Sequence, residues 1–248
     1  MKPPLKENSP GTAKTGGATP VRPRDAATLV VLDPEDGDPG RTRVLMGRRA
    51  PRHDFLPDVF VFPGGRVDQA DSAAPAGRGL DRAVVLKTGE TTQQAHALAT
   101  AAIRETFEET GLALLDQVDS ATPHPLPDRP EPGARHSGEW PGPGFTPRYY
   151  VLDFIGRAIT PPPSPKRFDT RFFAAHAIHA HGDLLGNGEL LDLDWYPLDA
   201  ALKLPLIDVT EFILGHVSNL LKTGEPVGPG LCPEPPFYTW DDDDWSVD

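Results

Sequence analysis

The sequence predicts one α/β domain, and three observations carry that prediction. Short apolar, β-rich runs lie on both sides of a single long helical stretch. That stretch, over 93–110, contains no Gly or Pro and stops at Gly111, where a left-handed residue is wanted. The length of 248 residues suits a single domain with loops. The apolar fraction is only 38%, and 30 Pro and 24 Gly account for much of the shortfall, so part of the length belongs to loops rather than core.

The elements follow in order. Residues 1–23 are rich in Pro, Gly, Thr and Lys and lack an apolar stretch, which predicts a disordered tail and no secretory signal. The domain is placed over 24–222. Residues 26–32 form a β-rich run closed by a turn at 33–38, and residues 43–48 are suited to pair with it as a hairpin. Residues 59–62 are a short apolar strand running into Pro63, Gly64 and Gly65. After the helix, 112–115 is predicted as a strand and 116–147, rich in Pro, Gly, His and Asp, as a long loop. Strands are predicted again over 149–159, 170–175 and 190–195, and helices near 198–202 and over 209–221. Residues 223–248 are taken as a Pro-rich acidic tail whose Asp241–Asp244 run is a solvated charge cluster.

Charge narrows the function. The formal net charge is −12 and no basic stripe is present, which argues against long DNA or RNA as a ligand. No run of eighteen apolar residues occurs, so no membrane span is predicted. The one cysteine, Cys232, has no disulfide partner within the chain and no neighbour at zinc spacing. These features lead us to expect a cytoplasmic protein.

The chemistry is concentrated at the end of the long helix. Glu105, Glu108 and Glu109 are spaced i, i+3 and i+4, which puts three carboxylates on one face. Ala99, Ala102, Ile103, Thr106 and Phe107 fall on the opposite side, suited to a sheet. Like charges so placed repel, and a hard divalent cation relieves that repulsion, since Mg²⁺ takes carboxylate oxygens. Arg104, four residues before Glu108, is placed to tether one carboxylate.

The stretch from Arg104 to Leu112, with Phe62 to Gly65 upstream, resembles the Nudix box, G-x5-E-x7-R-E-U-x-E-E-x-G-U, where U is bulky and apolar. Thr106 departs from the apolar position. Gly65 stands 39 residues before Arg104 where the pattern has 14, so an insertion of about 25 residues within 66–92 splits the box. Counting back from Arg104 puts His96 in the place of the first motif glutamate, with Glu90 as a rival. The split, together with residues 62–72, 101–111, 158–161 and 167–173, resembles the coenzyme A diphosphatase branch. The resemblance covers roughly 25–221.

The resemblance implies a Nudix fold, a mixed sheet between helices, and an enzyme that hydrolyses a diphosphate linkage in a nucleotide derivative with Mg²⁺ (or Mn²⁺). CoA or acyl-CoA is the first candidate substrate. ADP-ribose or a dinucleotide is the alternative, and a non-catalytic nucleotide-binding module is the third reading. Glu105, Glu108 and Glu109 are the implied metal ligands and, with Arg104, the catalytic group. Glu189, ahead of Asp192, is the implied distal ligand. Gly64 and Gly65 are expected to let the backbone approach the substrate. Arg48, Arg49, Arg167 and Arg171 are candidates for its phosphates, because guanidinium matches phosphate oxygens bidentately. A homodimer is expected by analogy with relatives. The insertion is a candidate lid over the site.

Overall fold

The computed structural model describes residues 21–247 apart from 36–37, 53–55, 119–124, 130–139, 163, 224–227, 229–231, 233 and 242–243. Most of the predicted N-terminal tail, much of the long loop and the middle of the acidic run therefore lie outside the described residues.

Strand β1 (Arg24–Pro34) is the centre of the fold. Its run of branched and apolar residues is buried on both faces, as a central strand requires. It pairs in parallel with β8 (Phe168–His176) over nine positions, from Arg24 opposite Phe168 to Leu32 opposite His176. Its other edge is shared. Its C-terminal end pairs antiparallel with β2 (Thr42–Arg49), giving the predicted hairpin. Its N-terminal end pairs antiparallel with β4 (Gly64–Arg66). The short β3 (Phe60–Val61) and β9 (Leu190–Pro197) join β2, while β7 (Asp153–Ile159) joins β8. The result is a mixed sheet. A separate ribbon pairs β5 (Leu115–Gln117) with β6 (Phe145–Pro147).

Period-2 alternation sends side chains to two cores. Ala27, Leu29 and Val31 of β1 pack with Ala99, Ile103 and Phe107 of helix α2 (Thr92–Thr110). Val30 and Leu32 pack on the other face with Ile213, Leu214 and Val217 of α4 (Asp208–Thr223), beside the one-turn α3 (Leu198–Ala201). The sheet is thus sandwiched between helices.

Helix α2 starts and stops where the sequence predicts. Thr91 and Gln94 form a reciprocal capping box, and Gly111 ends the helix at φ 80°. The helix is buried almost all round rather than on one face. Thr106, the residue that departs from the box, is fully buried, but its hydroxyl donates to Ala102 O at 2.7 Å, so no polar group is orphaned.

The structure differs from prediction in four places, one being that residues 116–117 and 145–147, taken as loop, are strand. Residues 112–115 are mostly not strand: Ala113 makes an isolated bridge with His181 and only Leu115 enters β5. Residues 149–151 form a 3₁₀ turn ahead of β7. The segment taken as a C-terminal tail contains a hairpin of β10 (Phe237–Asp241) and β11 (Asp244–Val247), and β10 adds in parallel to the β7 edge. Buried Asp153 on β7 explains this anchorage, because its Oδ2 accepts from Cys232 N at 2.9 Å and Gly228 N at 3.3 Å. Proline content hid the strand, since Pro is tolerated next to an edge strand.

The stretch between Asp71 and Thr91 is built into the body. It carries a short helix, α1 (Arg82–Thr88), capped by Asp81 and ended by Gly89 at φ 71°. Val84 is fully buried in the core under α2, and Lys87 donates to Cys232 O. Around Leu80 this stretch meets the N-terminal end of α2, where Leu80 N donates to His96 Nε2, whereas the helix carboxylates lie near the C-terminal end.

Candidate active site

The site is assembled where β4 passes under the last turns of α2. Gly64 and Gly65 pair with Thr28 and Ala27, which presses this turn onto the central strand. Only glycine fits. A Cβ on Gly64 would stand 2.6 Å from Ala27 O. One on Gly65 would come within 2.7 Å of Glu105 Oε2 and closer still to the rest of that carboxyl. The freed backbone is used, since Gly64 N–H donates to Glu109 Oε2 at 3.0 Å.

Arg104 organises the carboxylates from beneath. Its side chain is 2% exposed. Its guanidinium grips Asp71 with two bonds, Nε to Oδ1 at 2.8 Å and Nη2 to Oδ2 at 3.1 Å, and Nη2 also donates to Arg66 O at 3.1 Å. The remaining nitrogen, Nη1, donates to Glu105 Oε1 at 2.9 Å and Glu108 Oε2 at 3.2 Å. Burial works against the guanidinium charge, but Asp71 and the two glutamates outweigh it and keep Arg104 protonated.

Asp71 is the residue that the sequence analysis missed. It is fully buried, and its carboxylate also accepts from Asp68 N at 2.7 Å. The signal was present: counting forward six positions from Gly65 reaches Asp71, in the place where the motif has its first glutamate. Counting back from Arg104 had pointed to His96. That histidine instead donates from Nδ1 to Thr92 O at 2.8 Å, accepts at Nε2 from Leu80 N at 3.3 Å, and lies edge-on to Tyr149. Glu90 pairs with Arg171.

The electrostatics suit a cation. Burial pushes the Glu105 carboxyl up, Arg104 pulls it back and Glu108 adds to the rise, leaving it at about 7. Burial also raises Glu108 against the pull of Arg104. Glu109 is driven well above the ordinary carboxylate range by burial and by Glu105, despite the Gly64 hydrogen bond. Glu189 raises both Glu108 and Glu109, so this distal carboxylate lies within electrostatic reach of the cluster. Among the described residues no three His, Cys, Asp or Glu side chains already surround one point. Glu105 and Glu108 turn to Arg104 and Glu109 turns to Gly64, so joint coordination requires side-chain rotation. The donor set itself, hard oxygens with crowded charge, fits Mg²⁺ or Mn²⁺.

The arginines divide. Arg49 is half-buried, and burial lowers its pKa against the opposing charges of Glu109 and Glu189, so it faces the cluster. Arg48 does not: it is paired with Asp58 and Asp192, both at 2.7 Å. Asp192 is thereby turned to Arg48 rather than to the helix carboxylates. Arg167 donates to Thr160 O and Val21 O, each at 2.9 Å. Arg171 is 3% exposed and closed in by Glu90, Asp25 and Asp169. Of the arginines expected to bind phosphate, Arg48, Arg167 and Arg171 are therefore committed to internal partners, because each lies where a strand carries acidic or carbonyl neighbours.

Comparison with solved structures finds the same architecture elsewhere. A NUDIX hydrolase from Alicyclobacillus acidocaldarius matches with a TM-score of 0.59 and 29% identity, over 81% of this chain and 96% of that one. A mutator MutT protein from Bacillus halodurans matches with a TM-score of 0.44 and 14% identity, over 91% and 97%. A MutT NUDIX hydrolase from Burkholderia pseudomallei gives 0.44 and 18%, over 79% and 99%. No protein-family model and no curated protein matches the chain. The fold and the carboxylate helix are those of a Nudix hydrolase, as the similarity to the Alicyclobacillus acidocaldarius enzyme shows. Among the described residues no helix is long and apolar enough to cross a membrane.

Proposed function

We propose that this enzyme hydrolyses the diphosphate linkage of CoA or acyl-CoA, using Mg²⁺ (or Mn²⁺) held by Glu105, Glu108 and Glu109 with Glu189. The observation that carries the reading is the contact of Gly65 with Glu105 above the Arg104–Asp71 pair. It sets the part-buried Glu105 carboxyl against the glycine turn, with buried Glu108 and Glu109 on the same helix. The spacing supports a split box, with Gly65 to Asp71 as its first half and Arg104 to Gly111 as its second. That split is what directs the reading to CoA.

When bound, the cation supplies charge neutralisation for the diphosphate and makes water a stronger acid. The chain does the rest. Arg104 keeps Glu105 and Glu108 in register, and Gly64 N–H holds Glu109. Arg49 adds positive charge on the wall opposite α2, where diphosphate oxygens would sit. Water attacks one phosphorus, its proton passes to a helix carboxylate, and the P–O bond to the bridging oxygen breaks. A phosphate monoester leaves. From CoA the products are 4′-phosphopantetheine and adenosine 3′,5′-bisphosphate.

Mass spectrometry of products tests this, with Mg²⁺ and a panel of CoA, acetyl-CoA, ADP-ribose, NADH and diadenosine polyphosphates. Selective release of adenosine 3′,5′-bisphosphate from CoA is the expected result. Turnover of ADP-ribose or NADH alone would keep the site and replace the substrate. Binding without turnover, with Mn²⁺ also tried, would favour the non-catalytic module.

A further inference from the structure

Arg48 and Arg49 are consecutive on β2, so their side chains leave opposite faces. Leu45 belongs to the core under α2 and Met46 to the core under α4. Arg49 therefore falls on the α2 side with Leu45, and Arg48 points away. On that other face Arg48 Nε binds Asp192 Oδ2 and Nη1 binds Asp58 Oδ1, both at 2.7 Å. The two aspartates share an unusual backbone: Asp58 has φ 59° and Asp192 has φ 49°. A non-glycine residue seldom takes that conformation, and Asp is among the few that tolerate it.

Asp192 sits in a β-bulge. Met46 is opposite Asp194 but Arg48 is opposite Leu191, so β9 carries one residue more than β2 across this step. Bulges re-aim the residues beside them and recur next to active sites. The bulge is closed by Tyr196 OH, which donates to Asp192 O at 2.6 Å. Three residues upstream lies Glu189, whose main chain is tied on both sides. Its N–H donates to Asn187 Oδ1 at 2.9 Å, and its carbonyl accepts from Ala50 N at 3.0 Å. Arg52 Nη2 donates to Gly188 O at 2.7 Å. The segment bearing Glu189 is thus sewn to the segment following β2, and Arg48 is the side chain that grips both.

We propose that Arg48 is a positioning residue: by holding Asp58 and Asp192 together across the bulge, it sets where Glu189 meets the carboxylates of α2. This rests on the reading of Glu189 as a metal-site carboxylate. The Asp58 and Asp192 side chains are 58% and 55% exposed, and such pairs contribute little to global stability. The role therefore lies in geometry, and metal affinity rather than melting temperature is where it is visible.

The test is a double-mutant cycle on Mn²⁺ affinity, read by EPR on the full chain, with thermal melts as the fold control. Arg48→Met and Glu189→Gln are each expected to weaken Mn²⁺ binding roughly tenfold, as loss of a supporting partner does. The double variant is expected to be no weaker than the worse single within about twofold, because both changes remove the same contribution. Asp192→Asn, which keeps the tolerated backbone but removes the charge, is expected to act in the same direction as Arg48→Met. It serves in the cycle if Arg48→Met does not fold. Full additivity, or unchanged affinity in both Arg48→Met and Asp192→Asn, would overturn the proposal. Unchanged affinity in Glu189→Gln, with Glu109→Gln abolishing binding, would overturn it together with the Glu189 assignment, while the helix carboxylates kept their role. Absence of Mn²⁺ binding by the unaltered protein would instead remove the metal reading itself, and the proposal with it.

Discussion

At the scale of single residues, the site depends on one missing side chain and one buried ion pair. Gly65→Ala forces the Glu105 carboxyl aside, because the new Cβ would lie within 2.7 Å of its Oε2. A displacement of that kind costs about a hundredfold in rate. The expected outcome is a drop of that order in kcat/KM with a nearly unchanged melting temperature, and steady-state kinetics beside a melt checks it. Asp71→Asn leaves Arg104, 2% exposed, without its bidentate counter-charge. Breaking such a buried pair costs about 3–5 kcal/mol, to be measured by urea unfolding. Titration gives a third expectation. The Glu105 carboxyl is raised from 4.5 to about 7 in the folded state. Between those values the folded protein holds a proton that the unfolded chain has released. Its contribution to stability is therefore present below pH 4.5 and lost as pH rises towards 7. Metal-free protein should accordingly melt at a lower temperature at pH 7.5 than at pH 5. Added Mg²⁺ should raise the melting temperature most at the higher pH, where the carboxylates are ionised. A flat profile across that range would contradict the burial assigned to Glu105.

At the scale of elements, α2 and the inserted segment behave as one unit. The helix is held by its Thr91 cap, by buried small residues against β1, and by Asp71 through Arg104. The stretch between Asp71 and Thr91 contributes Val84 to the same core, Lys87 to Cys232 O and Glu90 to Arg171. A lid would change KM on removal and leave stability alone. This segment should do the reverse. Replacing 73–87 with a short Gly/Ser link is expected to lower the melting temperature by several degrees, since a buried Val and its neighbours lose their packing. Differential scanning calorimetry distinguishes the two outcomes.

At the scale of the whole molecule, the C-terminal residues complete the sheet. β10 covers the β7 edge, and Asp153, fully buried, takes its N–H donors from Gly228 and Cys232. Truncation after residue 223 would bare that edge and strip a buried carboxylate of two partners. Exposed strand edges template pairing between chains. The expected outcome is a less stable protein that self-associates, visible as larger species in size-exclusion chromatography. A monodisperse truncated protein with an unchanged melt would show the hairpin to be dispensable.

The α/β class, the limits of α2 and the position of Glu105, Glu108 and Glu109 near its end were legible in the sequence, because periodicity, capping and the glycine stop are local properties. The β1–β2 hairpin was legible for the same reason. The role of Asp71 was half-legible: the forward spacing from Gly65 contained it, but the pair with Arg104 spans 33 residues of chain and only folding closes it. The fates of the arginines were not legible. Whether a guanidinium faces an active site or an internal aspartate depends on strand parity, on a bulge in β9 and on which strands become neighbours. Those are long-range facts of packing. The sequence by itself determined which chemical groups this enzyme carries and the helix that presents them. Only the tertiary structure decided that Arg49 rather than Arg48 faces the carboxylates, that the stretch carrying α1 packs into the core under α2, and that β10 joins the sheet. Local chain stiffness and hydrogen bonding act within a few residues, whereas burial and pairing choose partners across the whole chain.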